Sequence, residues 1–82
     1  MFILLEYKKT SEVKVKGDKA DWHLKKRAIF SLNSAKSFRK QARSLSLRPF
    51  IHSVHICGWR DKNDDPSIQE FWKDGKLESK QF

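Results

Sequence analysis

The stretch 34-SAKSFRKQARSL-45 decides how the chain is to be read. Ala35, Phe38, Ala42 and Leu45 recur at spacings of 3, 4 and 3, which puts them on one stripe of an α-helix. Asn33 or Ser34 supplies an N-cap, a side-chain oxygen able to accept a bond from a first-turn amide. Pro49 marks the far limit, because the residue before a proline is pushed out of the helical region. The apolar stripe predicts a sheet beneath it. The opposite side carries Lys36, Arg39, Lys40 and Arg43 pointing outward, and no acid occurs from Asn33 to Arg48. Like charges three or four residues apart on a helix repel by a few tenths of a kcal/mol each. A face of one sign therefore marks a surface with an anionic counterpart.

Outward from this helix the periodicity changes to two. Residues 2–9 (FILLEYKK) form an apolar, β-rich opening and predict a strand. Residues 10–21 (TSEVKVKGDKAD) alternate Val13 and Val15 with lysines and break at Gly17-Asp18, predicting a frayed strand extension or a long hairpin. In 21–32 (DWHLKKRAIFSL) Trp22, Leu24, Ala28, Phe30 and Leu32 fall on one face and His23, Lys25 and Arg27 on the other, a half-buried strand with a basic outer side. Residues 50–59 (FIHSVHICGW) predict a strand with Phe50, His52, Val54 and Ile56 on one face and Trp59 on the opposite one. Residues 60–67 are polar and read as a loop, and 68–79 (IQEFWKDGKLES) as a hairpin turned at Asp74-Gly75, a pair suited to a type I′ turn.

The expected architecture is a single compact α+β domain over residues 1–82. It holds an antiparallel sheet of four or five strands in the order β-β-α-β-β, with one helix packed on one face. Since the helix would cover the Trp22/Leu24/Phe30 side, Lys25 and Arg27 are expected behind it, leaving open one positive surface or two.

Composition narrows the functional classes. An 82-residue chain has a thin core. Its single cysteine, Cys57, allows no intrachain disulfide. The opening apolar run, Phe2–Leu5, is too short for a signal-peptide core or a membrane span. A cytoplasmic protein without membrane attachment is the simplest expectation. The net charge of +8 is uneven: residues 1–48 hold 13 Lys/Arg against 4 Asp/Glu, and residues 49–82 hold 5 against 6. Such concentrated charge favours nucleic acid, or a protein that handles it.

No catalytic motif stands out. The sequence has no G-x-S-x-G, no phosphate-binding glycine loop and no H-E-x-x-H. Asp61, Asp64 and Asp65 crowd a turn beside Pro66, where solvation explains them. His52, His55 and Cys57 are metal-ligand types, but on a strand only His55 and Cys57 share a face, short of a four-coordinate site. No metal, no cofactor and no enzymatic activity are expected. Most of the ten aromatic residues are expected in the core. Trp59 and Trp72 stand apart as candidate anchors for an unpaired base or a protein interface. Lys36 and Arg43 lie roughly 10 Å apart along a helix axis, enough to straddle two or three phosphates of one strand. The outward face reads as a phosphate-contact pattern, which points to backbone contact without sequence reading. The expected binding set is Lys36, Arg39, Lys40, Arg43, Lys25 and Arg27.

Two segments carry a resemblance. Ser31, Leu32, Ala35 and Lys36 lead into the basic helix, and Trp72, Lys73, Asp74, Gly75 and Lys76 form the final turn. In these features the chain resembles small phage-encoded anti-CRISPR inhibitors of type I-F surveillance complexes, one of which has the same β-β-α-β-β order. The resemblance implies an inhibitor that lays its basic helix where guide-matched DNA would run, and that can also grip duplex DNA without sequence preference. Lys36 carries over as a contact position, whereas Ser37 stands where that inhibitor has a basic residue. The partners this implies are a host nucleic-acid-handling complex, duplex DNA, or both.

Overall fold

The computed structural model describes residues 2–60 and 66–81. Five strands form one antiparallel sheet: β1 (Phe2–Lys9), β2 (His23–Ile29), β3 (Ile51–Trp59), β4 (Ile68–Lys73) and β5 (Lys76–Gln81). Their spatial order is β2-β1-β3-β4-β5, so β2 and β5 are the edges. Helix α2 (Leu32–Ser46) crosses one face, mainly over β3 with β1 and β4 beside it. A shorter helix, α1 (Thr10–Lys16), lies in the connection between β1 and β2. The α+β antiparallel architecture expected from the sequence is present, with all five strands and a second helix.

Helix α2 forms where the apolar stripe predicts it and starts slightly earlier. Ser31 is the N-cap: its hydroxyl accepts from the Ser34 N–H at 3.0 Å, while Ser34 Oγ accepts from the Ser31 N–H at 2.8 Å. This reciprocal capping box satisfies two amides that a helix start otherwise leaves bare. Ala35, Phe38, Ala42 and Leu45 are all buried. They close over Ile3 and Leu5 of β1, Ile51, Val54 and Ile56 of β3, and Ile68 and Trp72 of β4. At its C-terminal end the buried Ser46 hydroxyl accepts from the Gly75 N–H at 2.9 Å, tying the helix to the β4–β5 turn. Asp74 and Gly75 both take positive φ there, 53° and 77°, as the Asp-Gly pair predicts.

Three expectations need correction. Residues 10–16 are helical, not extended. The Thr10 N–H donates to the Phe50 carbonyl at 3.0 Å, and Glu12 meets His23 Nε2 at 2.7 Å, so tertiary partners override the Val/Lys alternation. Gly17, at φ 61°, does turn the chain back, but from a helix. In the second strand the clean alternation fails because pairing shifts between Leu5 and Glu6: Leu5 opposes Lys26, whereas Glu6 opposes Leu24. Trp22 consequently lies on the face away from α2, 5.3 Å from the His55 ring and 6.4 Å from that of Phe71. Leu24 is exposed, and Leu32 belongs to α2 and is exposed too. In β3 a similar shift at Lys8/Lys9 brings Ile51 into the core and leaves Phe50 exposed.

Candidate functional site

Helix α2 does not present four free cations. Arg39 turns down beside the sheet and meets Glu70 of β4. Its Nη2 donates to Oε2 at 2.7 Å, and its Nε donates to the same carboxylate at 3.0 and 3.2 Å. The Glu70 side chain is 1% exposed and also accepts from Trp72 Nε1 at 3.3 Å. The hydrogen-bonded carboxylate raises the Arg39 guanidinium above its already high pKa, against the opposing effect of its partial burial. One of the helix's bases thus finds its acid on β4. Arg39 is therefore a structural ion pair, not part of an outward binding set.

Lys36, Lys40 and Arg43 remain exposed. Lys40 joins Lys25 in an open groove of about 300 Å³ between α2 and the β1–β2 side of the sheet. Gln41, Ser44 and Arg48 complete its rim, above Leu45 and Leu5. Among the described residues no acidic side chain lines this groove. The irregular pairing of β2 explains the position of Lys25. It is the residue left without a partner between Lys26 and Leu24, and it reaches the helix side. Arg48 was absent from the predicted set because it follows the helix, past the turn at Leu47. The missing acids from Asn33 to Arg48 already marked it as part of the one-sign segment.

The remaining predicted residues separate from this groove. Arg27 opposes Leu4 and stands on the reverse face, its guanidinium carbon 4.6 Å from the Phe2 ring centroid. Phe2 stacks on its other side against Trp59, with centroids 4.7 Å apart. Trp59 thus lies on the face away from α2, as alternation predicts. Trp72 is 8% exposed and packs in the core, which excludes it as a surface anchor. Its neighbour Phe71 takes the reverse face instead, opposite His55.

The reverse face also holds His55 and Cys57, two of the residues weighed for chemistry. His55 is buried, stacks on Phe71 at 4.4 Å and has Nδ1 3.3 Å from Glu6 Oε2. His52 Nδ1 is 3.2 Å from the Ser53 hydroxyl. Among the described residues no group of three or more His, Cys, Asp or Glu side chains is arranged to hold a metal ion. The Cys57 thiol is pushed up to about 11 by burial, with the Glu6 carboxylate adding to the effect. A thiol so held stays protonated at neutral pH and is a poor nucleophile. The acidic cluster Asp61, Asp64 and Asp65 lies outside the described residues.

Taken together these features define a small α+β protein with a one-sided helix layer and a basic groove at the helix–edge-strand junction. Among the described residues no helix is long and apolar enough to cross a membrane. Compared with known protein families, curated proteins and solved structures, the chain matches no family model, no curated protein and no solved structure.

Proposed function

We propose that the protein works by binding, without chemistry of its own, and that its ligand is the phosphate backbone of nucleic acid. The observation that carries this reading is the groove. Lys25, Lys40 and Arg48 line it with Gln41 and Ser44, among the described residues no acid does, and Lys36 and Arg43 extend the positive surface along α2. Concentrated positive charge around a groove raises the local density of polyanions. Amide and hydroxyl donors beside lysine and arginine are the groups that contact phosphate oxygens. Three of the chain's carboxylates are paired away from the groove: Glu70 with Arg39, Glu6 with His55 and Glu12 with His23.

In the form implied by the resemblance, the occupied path belongs to a host nucleic-acid-handling complex, and the protein is a small anti-CRISPR-like inhibitor of phage or mobile-element origin. In the broader form it is an accessory protein that holds DNA or RNA directly. Both place Lys40 and its neighbours against the ligand.

Fluorescence anisotropy with labelled oligonucleotides, at about 50 and 200 mM salt, tests the shared claim. The native protein is expected to bind with a steep salt dependence, and a Lys25/Lys40/Arg48→Glu variant to lose that binding. Binding to a host complex without binding to bare nucleic acid favours the inhibitor form. A reversed variant that binds as well as the native protein removes the groove from the reading.

A further inference from the structure

The positive charges do not stop at the rim of the groove. Lys25, Lys26 and Arg27 are consecutive, all exposed, and lie on an edge strand. Lys25 lines the groove on the helix side. Lys26 opposes Leu5, whose side chain belongs to the core beneath α2, so it shares that side. Arg27 opposes Leu4 and stands on the reverse face against Phe2. A path from Arg48 and Lys40 through Lys25 and Lys26 to Arg27 therefore turns around the edge of the sheet.

The shape of this path selects among nucleic acids. Duplex DNA is stiff, with a persistence length of about 150 bp. Seated on the groove it stays on the helix side, because its backbone cannot be bent around one β-strand to follow the path to Arg27. A single strand bends at each nucleotide.

The reverse face contributes a cation more than a stacking platform. Phe2 already has Arg27 on one side and Trp59 on the other. Stacking on the ring uses the flat face of the guanidinium and leaves its N–H edge for a phosphate oxygen.

We infer that the preferred ligand is a single-stranded nucleic acid whose backbone runs from the α2–β2 groove, over the edge of β2, to Arg27 on the reverse face. This rests on the phosphate-binding reading above and narrows it.

The test compares the full chain on a labelled single strand of about twelve nucleotides with the matching duplex, each across the same salt range. The single strand is expected to bind several-fold more tightly. Arg27→Ala is expected to lower the single-strand salt slope by about 0.7, the loss of one contact, and to leave duplex binding unchanged. Arg27→Lys, which keeps the charge, restores most of the slope, and circular dichroism checks that both variants are folded. A duplex bound as tightly as the single strand, or an Arg27→Ala variant that alters both ligands equally or neither, overturns the inference while leaving phosphate binding intact. Absence of binding to either ligand overturns both.

Discussion

Arg39→Ala is the substitution whose consequence follows most directly from the geometry. It removes three hydrogen bonds from a carboxylate that is 1% exposed and leaves Glu70 charged in the core. Stranding one member of a buried ion pair costs about 3–5 kcal/mol. The Arg39 side chain is itself 36% exposed, so solvent screens the pair and the lower end, about 3 kcal/mol, applies. A chain of this length has a total stability of roughly 4–12 kcal/mol, so the loss is severe. Glu70→Gln is expected to be milder, about 1–2 kcal/mol. Arg39 can turn to water, and the amide oxygen can still accept from Trp72. The double variant Arg39→Met/Glu70→Gln strands no charge and is expected to lie near Glu70→Gln, well short of the sum. Urea titrations followed by tryptophan fluorescence read these differences. An Arg39→Ala loss below about 1 kcal/mol, or one no larger than that of Glu70→Gln, refutes the reasoning. Under conditions where Arg39→Ala stays folded, its nucleic-acid salt slope is expected to match the native one, because Arg39 is not a ligand-binding group.

Other consequences are simpler. The folded Cys57 thiol titrates at about 11 against an ordinary 9.0, so the unfolded chain ionises first. The contribution of this group is full below about pH 9 and is lost as pH rises toward 11, at up to about 1.4 kcal/mol per unit. A Cys57→Ala control lacks that slope in alkaline denaturation, and DTNB at pH near 8 labels the native thiol far more slowly than the unfolded one. A Cβ at Gly58 would lie 2.5 Å from the Phe30 ring, so Gly58→Ala is expected to cost about 1–3 kcal/mol in chemical denaturation. Ser31→Ala removes the N-cap of α2 and is expected to cost about 1 kcal/mol by the same measurement; a neutral result argues against the capping box.

The fold was legible wherever period and burial agree. The stripe Ala35/Phe38/Ala42/Leu45 lies on the sheet as its spacing predicts, and Asp74-Gly75 turns the last hairpin. Legibility failed where pairing becomes irregular. The shifts at Leu5/Glu6 and Lys8/Lys9 invert the side-chain alternation beyond them, because the side-chain period of a strand is two. Trp22, Leu24 and Phe50 were misplaced for that reason. Helix α1 was hidden because its partners, Phe50 and His23, are distant in sequence. The site was half legible. Lys40 and the absence of neighbouring acids were visible along the helix, whereas the Arg39–Glu70 pair joins residues 31 positions apart. One signal for it existed: Glu70 alternates with Ile68 and Trp72 on the inward face of β4, and an acid so placed needs a base above it.

The central claim, a nucleic-acid backbone seated between α2 and β2, is tested most directly by an NMR titration of ¹⁵N-labelled protein with a short single-stranded oligonucleotide. The account predicts amide shifts concentrated at Lys25–Arg27, Lys36, Lys40–Ser44 and Arg48, with the β4–β5 hairpin unmoved. Shifts centred on that hairpin, or a spectrum unchanged at saturating oligonucleotide, contradict it.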